Sequence, residues 1–307
     1  MEPIMGEASA FVPGHLTGLF QICDEPEDPL KKGSRGAGLS ITRGIRTTVR
    51  ATEAERGSVT ISINGKRTKA AVVSENVASK VASVYGRPCK IEVRHEAGIP
   101  IGSGFGASGA GALGLAMALN EALGLRLSRI EAARVAHVAE IECRTGLGTV
   151  LAELTGGFGV ITRAGGPGIG ETLKFKHSAD LSAVCLHLGP ISTKEALSNP
   201  KLRSRINELG GRFVEELRRD QSPELFLKMS RRFAEHVGLI TPRIRSVLER
   251  TDEEGYVCSM AMFGETVFSL VGGGDSERLL RVMVEAAPDC EAFITGIDDQ
   301  GARLVCA

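Results

Sequence analysis

The fold is decided by Pro100-Ile101-Gly102-Ser103-Gly104-Phe105-Gly106-Ala107-Ser108-Gly109-Ala110-Gly111-Ala112-Leu113, in which four glycines and two serines occupy positions 102–109. The preceding segment, 90–94, alternates polar and apolar residues as a β-strand does, and the following segment, 112–120, is rich in helix formers. A glycine-rich loop between a strand and a helix lets several backbone N–H groups converge at the positive end of the helix dipole. This order therefore predicts a site for phosphate oxygens.

Two other nucleotide-binding motifs and a plain structural role compete with this interpretation. Positions 104–109 match the letters of the dinucleotide-binding fingerprint, which requires an acidic residue about 20 positions further on, at the end of the next strand. The next segment, 128–143, has the pattern of a helix instead. A P-loop requires a lysine at its end, and no lysine occurs between Lys90 and Lys174. A tight turn followed by a closely packed Gly-Ala-Ser helix stays open as the alternative without a ligand.

The run Pro-x-Gly-Ser-Gly-Phe-Gly-Ala-Ser-Gly-Ala at 100–110 resembles the phosphate-binding motif of the GHMP kinase superfamily, whose members are ATP-dependent small-molecule kinases. The resemblance implies an α+β fold of two domains, an N-terminal S5-like α/β domain and a C-terminal ferredoxin-like domain. It also implies ATP and Mg²⁺ as cofactors. The residues that it assigns to ATP binding are Pro100, Gly102, Ser103, Gly104, Phe105, Gly106, Ala107, Ser108 and Gly109.

A second stretch that resembles the superfamily lies near the N-terminus. Residues 7–12 have the pattern of a strand, and the dipeptide Pro13-Gly14 predicts a turn after it. In the superfamily, a first strand followed by Pro-Gly, a basic residue and an aliphatic residue leads into a loop of the substrate pocket. The resemblance therefore implies that His15 contacts the substrate. The alternative is a loop histidine without a function.

A third stretch follows the central helix. Ser128 and Glu131 form a capping-box pattern that predicts the start of a helix, and a short helix at 150–154 ends in Gly156-Gly157. This order resembles the superfamily segment that supplies a magnesium-binding glutamate and a catalytic aspartate. Glu140 matches the glutamate, and the Ser108 hydroxyl would be the second metal ligand. The alternatives are a helix cap for Ser108 and an i,i+4 ion pair with Arg144 for Glu140.

The expected catalytic aspartate falls at Thr149, which is a departure from the superfamily pattern. A threonine hydroxyl cannot act as a general base near neutral pH. Thr149 would then only orient the acceptor hydroxyl, because a loose phosphoryl-transfer transition state needs no strong base. Otherwise a nearby carboxylate, Glu142 or Glu153, takes over the role, or the chain is inactive. We take Thr149 and Glu142 as the candidate catalytic residues.

Length and composition narrow the class of protein. The chain has 307 residues, 42% of them hydrophobic and 24% charged, which predicts a two-domain enzyme with a sizeable core. The formal net charge is zero, so nothing favours a nucleic-acid or anionic-membrane partner. Seven scattered cysteines, without a Cys-x-x-Cys pair, predict free thiols in a reducing compartment. With no signal-peptide pattern and no spanning apolar run, we expect a cytoplasmic protein.

The domain boundary is predicted near residue 178, which gives an ATP-binding domain at 1–178 and a second domain at 179–307. The second domain is predicted to contain strands at 181–188, 256–262, 266–271, 290–295 and 302–306, backed by helices at about 200–219, 223–237, 242–250 and 276–287. The superfamily's third motif is usually a glycine-rich hairpin, and here only Gly264 is left in the turn. Analogy with the superfamily suggests a homodimer.

Within the superfamily, four stretches resemble the pantoate kinase family of archaea. They are Val-Pro-Gly-His-Leu-Thr-Gly-Leu-Phe at 12–20, Arg-Gly-Ala-Gly-Leu-Ser at 35–40, Thr-Gly-Leu-Gly at 145–148 and Leu-Gly-Pro-Ile-Ser-Thr-Lys at 188–194. The resemblance implies transfer of a phosphoryl group from ATP to pantoate, giving 4-phosphopantoate on the way to coenzyme A. Pantoate carries a carboxylate, so Arg43 joins His15 as a candidate substrate residue. A homoserine-type kinase and a non-catalytic nucleotide-binding protein stay as alternatives.

Overall fold

The computed structural model describes residues 4–191 and 197–306, which form two β-sheets and eight helices. The first sheet contains β1 (Ile4–Cys23), β2 (Gly33–Glu53), β3 (Ser58–Ile63), β4 (Lys66–Arg67), β5 (Cys89–Ala97), β6 (Phe158–Arg163), β7 (Glu171–Lys174) and β12 (Arg303–Val305). The second sheet contains β8 (Ser182–Pro190), β9 (Ser259–Met260), β10 (Gly264–Val271) and β11 (Glu291–Gly296). Ser192, Thr193 and Lys194 of the predicted 188–194 stretch lie outside the described residues.

The first sheet is organised around the long strand β2. Its order is β12-β1-β2-β5-β3-β4, and β6 adds to β2 and carries β7. The first part of β2, at 36–39, pairs with β6, whereas its second part, at 45–53, pairs with β5. All pairings are antiparallel except that of β3 with β5. Strand β2 pairs with β1 along nearly its whole length. The β1–β2 pair therefore joins the part of the sheet that contains β6 and β7 to the part that contains β5, β3 and β4.

The turn predicted at Pro13-Gly14 is wrong, because β1 continues through it. Pro13 pairs with Gly44 and Gly14 pairs with Ile41, so two residues of β2, including Arg43, bulge out between these pairs. A proline lacks the N–H that a ladder needs, and a bulge is one of the places where a sheet tolerates it. Strand β2 therefore continues through Arg43 and Gly44.

The helices cover both sheets. In chain order they are α1 (Val72–Tyr85), α2 (Ala107–Ala122), α3 (Arg129–Cys143), α4 (Thr149–Thr155), α5 (Pro200–Arg219), α6 (Pro223–Val237), α7 (Pro242–Glu253) and α8 (Asp275–Ala286). Helix α2 is apolar on nearly all sides, and it is buried against β1, β2, α1 and α3. The predicted capping box is present at the start of α3, where Ser128 and Glu131 bond reciprocally. None of the helices in the described ranges is long and apolar enough to cross a membrane.

The second sheet has the order β11-β8-β10-β9 and packs against α7 and α8. The predicted strand 256–262 is reduced to β9, two residues long. The final strand, predicted at 302–306 within the second domain, pairs as β12 with β1 of the first sheet. The chain changes sheets between β7 and β8, near the proposed boundary at 178, and then returns to the first sheet at its end. The division into 1–178 and 179–307 stays a prediction.

Candidate active site

A cavity of about 390 Å³ lies where the glycine-rich loop, α4 and the strands β1, β2, β6 and β7 meet. This volume is within the range of small-molecule sites. Every residue from Gly102 to Gly109 lines it, as do His15, Glu140 and Thr149. Pro100 precedes the loop and is not part of the lining. The structure therefore brings the predicted loop, one predicted metal ligand pair and two other predicted site residues to one place.

The backbone of the glycine-rich loop has the geometry of an anion site. Gly102, Gly104 and Gly106 have φ values of 76°, 83° and 69°, which are left-handed conformations that favour glycine. A Cβ on Gly104 would also lie 3.0 Å from the Ala261 side chain. Gly106 is the N-cap of α2, and no side chain caps this helix. The first N–H groups of α2 thus have no intrahelical acceptor and stand at the positive end of the helix dipole.

Ser108 and Glu140 form the polar centre of the cavity. The Ser108 hydroxyl donates to Glu140 Oε1 at 2.5 Å, and the Thr145 hydroxyl donates to the same oxygen at 2.6 Å. Glu140 is only 3% exposed, so burial raises the pKa of its carboxyl while the two hydroxyl donors lower it. In the part of the chain that the structure describes, the Glu140 carboxylate has these two hydroxyl partners and no ion pair with Arg144, which is the C-cap of α3 in the left-handed conformation. Ser108 does not cap α2, since the N-cap is Gly106.

This oxygen cluster fits a magnesium ion. Its donors are a carboxylate and hydroxyl groups, and Mg²⁺ prefers oxygen ligands with only one or two carboxylates from the protein. The hydrogen-bond partners of the buried Glu140 are two neutral hydroxyls, so a nearby cation would stabilise its charge. No cluster of three or more His, Cys, Asp or Glu suited to a metal occurs in the described parts of the chain. The fit is therefore to an ion that is also held by phosphate and water.

Thr149 begins α4 beside the loop. A Cβ on Gly106 would lie 2.7 Å from the Thr149 methyl group, whereas one on Gly146 would lie 3.8 Å from its hydroxyl oxygen. The hydroxyl is thus directed to the Glu140 side of the cavity. Glu153, one helical turn further along α4, is fully buried and is not part of the cavity lining. Its carboxyl lies against Gly106 and Gly109, beneath the first turn of α2.

Two predicted site residues lie elsewhere. Glu142 is on the outer face of α3, where Lys80 and the Asn76 amide bind its carboxylate at 3.0 and 3.1 Å. Arg43 stacks over the Phe293 ring at 4.0 Å and pairs with Glu291 at 3.5 Å. Neither residue lines the cavity. Helix spacing places Glu140 and Glu142 on different faces of α3, and Arg43 lies in the bulge of β2. The predicted roles of Glu142 and Arg43 therefore stay predictions, which their positions outside the cavity do not support.

His15 is in the cavity, but as a neutral side chain. Its Nδ1 lies 3.3 Å from the Ser40 hydroxyl, and its backbone N–H donates to the Phe105 carbonyl at 2.9 Å. Burial lowers the pKa of His15 to about 4. His95, which belongs to none of the sequence motifs, also lines the cavity and contacts the hydroxyls of Thr47 and Ser74 at 2.9 and 3.1 Å. The alternating strand pattern in which His95 lies predicted that its side chain is buried, but it did not indicate a functional role.

The second sheet holds the glycine-rich loop in place. The Thr266 hydroxyl donates to the Ser103 carbonyl at 2.7 Å, and the Ile191 N–H donates to the Gly102 carbonyl at 3.0 Å. A Cβ on Gly264 would overlap the Ser103 carbonyl group. Gly264, the remaining glycine of the weak third motif, therefore lies where the hairpin meets the loop.

Comparison with known proteins agrees with this architecture. Residues 71–157 match the family described as the GHMP kinases N terminal domain. The chain is 34% identical to the pantoate kinase of Thermococcus kodakarensis, over 89% of this chain and 91% of that protein. It is 35% identical to the pantoate kinase of Methanocaldococcus jannaschii, over 85% and 91%. The chain belongs to the pantoate kinase family.

A solved structure described as a phosphotransferase related to the CoA biosynthesis pathway is also similar to this member of the pantoate kinase family. Its TM-score is 0.88 at 30% identity, and the match covers 97% of this chain and 98% of that one. The predicted α+β fold of the GHMP kinase type is thereby confirmed, as is the resemblance that suggested it. The roles of individual site residues stay predictions.

Proposed function

We propose that this protein is an ATP-dependent phosphotransferase that phosphorylates the hydroxyl group of pantoate, giving 4-phosphopantoate for coenzyme A biosynthesis. The observation that carries the proposal is the Ser108–Glu140 pair at the uncapped start of α2, inside the cavity of a pantoate kinase family member. A phosphate site beside a metal-binding carboxylate is what phosphoryl transfer requires.

Different groups of the site would bind the phosphates of ATP and the Mg²⁺ ion. The N–H groups of 104–109 would hold phosphate oxygens at the start of α2. Ser108 and Glu140 would hold Mg²⁺, which supplies neutralisation of phosphate charge when it is bound. Thr145 positions the Glu140 carboxylate through its 2.6 Å hydrogen bond. The apolar wall of Phe20, Met262 and Phe263 would shield the acceptor from water.

Thr149 is proposed to orient the acceptor hydroxyl. The oxygen of that hydroxyl forms the new bond to the γ-phosphorus, the bond from phosphorus to the bridging oxygen of ADP breaks, and the hydroxyl proton passes to water or phosphate. A loose transition state needs positioning more than a strong base. Within residues 4–191 and 197–306, the Thr149 hydroxyl has no hydrogen-bond partner, so it is available to the acceptor.

We predict that Thr149→Val lowers kcat with pantoate about 10- to 100-fold, the effect of losing one positioning contact, whereas Thr149→Ser stays within about threefold of wild type. Steady-state kinetics with saturating Mg-ATP measure both values. Equal loss in the two variants would show that the methyl group, rather than the hydroxyl, matters.

The proposed function is tested by ADP release from Mg-ATP with pantoate, homoserine, mevalonate, shikimate or no acceptor. Turnover with pantoate alone is expected. Turnover with homoserine or another hydroxy acid would keep the phosphotransferase and change its substrate. Thr149 in place of an aspartate favours one second candidate, a non-catalytic nucleotide-binding protein. That candidate requires no turnover with any acceptor, together with ATP binding that Ser108→Ala abolishes.

A further inference from the structure

An acceptor with a carboxylate needs a positive charge or a cluster of N–H donors in its pocket. Among the described residues that line the cavity, Lys174 is the one lysine or arginine. The two lining histidines, His15 and His95, are buried between hydroxyl groups, and burial lowers the pKa of each to about 4. They are neutral at physiological pH, so among the described residues it is Lys174 that supplies a fixed positive charge at this cavity.

The sheet register places Lys174 in one row with cavity-lining residues of three other strands. Thr17 pairs with Gly38, Gly38 pairs with Gly159, and Gly159 pairs with Lys174. These four residues form one row across β1, β2, β6 and β7, with neighbours about 5 Å apart. Both central members are glycines, because a Cβ on either would overlap a backbone carbonyl of the adjacent strand. The two glycines thus form a floor without side chains in the middle of the row, and Lys174 lies at one end of it.

The ammonium group of Lys174 is held at the edge of this floor by a backbone carbonyl, and the Asp299 carboxylate lies near its stem without forming an ion pair with it. Its stem lies along Gly157, where a Cβ would be 3.0 Å from Lys174 Cδ, and Nζ donates to the Asp299 carbonyl at 2.8 Å. In the described residues Lys174 makes no ion pair, whereas Arg43 is paired with Glu291. An ammonium group has three N–H donors, so two are left for an anion.

We propose that Lys174 binds the carboxylate of the acceptor and so selects hydroxy acids over neutral alcohols. This inference rests on the proposed function, since it assigns the charged end of pantoate to the β7 side of the floor. The hydroxyl end then extends along the glycine floor to Thr149 and the start of α2. Lys174 is a specificity residue in this arrangement, because it touches the substrate away from the reacting atoms.

The test compares Lys174→Met and Lys174→Gln with wild type, using pantoate and its neutral primary amide as acceptors. We expect each variant to raise KM for pantoate at least 10-fold, with kcat changed less than about threefold. The amide should be a poorer substrate of wild type than pantoate, and its kcat/KM should be the same in wild type and in both variants. Lys176→Met is the matched control, since Lys176 is exposed just beyond β7 and does not line the cavity. Thermal unfolding of each variant checks that the fold is intact.

The possible outcomes distinguish a failure of the Lys174 inference from a failure of the proposed function. If wild type turns over pantoate and both Lys174 variants keep the wild-type KM, the inference is wrong and the proposed function stands. An equal loss with the acid and the amide, or a loss in kcat alone, also overturns it, because the contact is then not with the carboxylate. If wild type neither binds nor phosphorylates pantoate, the proposed function fails first and the inference fails with it.

Discussion

Two buried glutamates lie beside the start of α2, and their surroundings act differently on the pKa values of their carboxyls. Glu140 faces the cavity and accepts hydrogen bonds from Ser108 and Thr145, which favour its ionised form. Glu153 is 0% exposed, and both of its carboxyl oxygens are buried without a hydrogen-bond partner. Burial, and then the charge of Glu140, raise the pKa of Glu153 well above its usual value. Glu153 is therefore the neutral acid of the pair, and it is a poor candidate for a base.

A first prediction concerns Glu153→Gln. An acid whose pKa is raised in the folded protein holds its proton above pH 4.5, where the unfolded chain loses it, so wild-type stability falls as pH rises. The glutamine amide cannot ionise, so the variant lacks this fall in stability. We expect the unfolding free energy of the variant to exceed that of wild type by a margin that grows as the pH rises from 5 to 8.

Denaturant unfolding at several pH values, without metal or nucleotide, measures this difference. Glu142→Gln is the control, because its carboxylate lies on the outer face of α3 and its pKa is lowered by Lys80. Parallel pH profiles for wild type and Glu153→Gln would mean that Glu153 is ionised in the folded protein.

At the scale of elements, helix α2 has no room for a side chain at Gly114 but has room for one at Gly111. Gly114 packs against β2, and a Cβ there would lie 2.8 Å from the Thr47 hydroxyl oxygen, which is fixed by its hydrogen bond to His95. Gly111, one turn earlier, has nothing closer than 3.7 Å to an added Cβ. The two glycines share a helix and differ in the space around them.

We predict that Gly114→Ala destabilises the protein by about 1–3 kcal/mol, the usual cost of overpacking a core. Gly111→Ala is expected to change stability by no more than about 1 kcal/mol, and in the stabilising direction, because alanine is the better helix former. Denaturant unfolding of the pair measures both values. Equal destabilisation would show that the helix, rather than its contact with Thr47, governs the effect.

At the scale of the whole molecule, the two sheets meet at the phosphate-binding loop. Thr266 of β10 donates to the Ser103 carbonyl, and the Ile191 N–H at the end of β8 donates to the Gly102 carbonyl. The loop is thus supported from beneath by α2 and from the side by the second sheet. Residues far apart in the chain therefore decide how accurately the loop is placed.

We predict that Thr266→Val raises KM for ATP about fivefold, equivalent to about 1 kcal/mol, because the Ser103 carbonyl loses a buried donor. Thr295→Val is the control, since its hydroxyl also bridges the sheets, to Thr42 at 3.0 Å, but away from the loop. Its KM for ATP should be that of wild type. An equal rise in both variants would point to general loosening between the sheets.

The sequence by itself determined the features that depend on neighbours in the chain. The glycine-rich loop, the apolar helix after it and the capping box of α3 were all predicted, because left-handed glycines and helix caps act within a few residues. The family resemblance extended these local patterns to the fold and to Ser108 and Glu140. The pairing of β12 with β1 could not be read in this way, since it joins the two ends of the chain.

Only the tertiary structure decided which charged residues belong to the site. Glu140, Glu142 and Glu153 are close in sequence, yet one faces the cavity, one faces solvent and one is enclosed beneath α2. Arg43 lies outside the cavity because of the bulge in β2, and Lys174 lines the cavity because of the register of β7 on β6. Burial and cross-strand register come from contacts between distant segments, and residue types and spacing alone do not contain them.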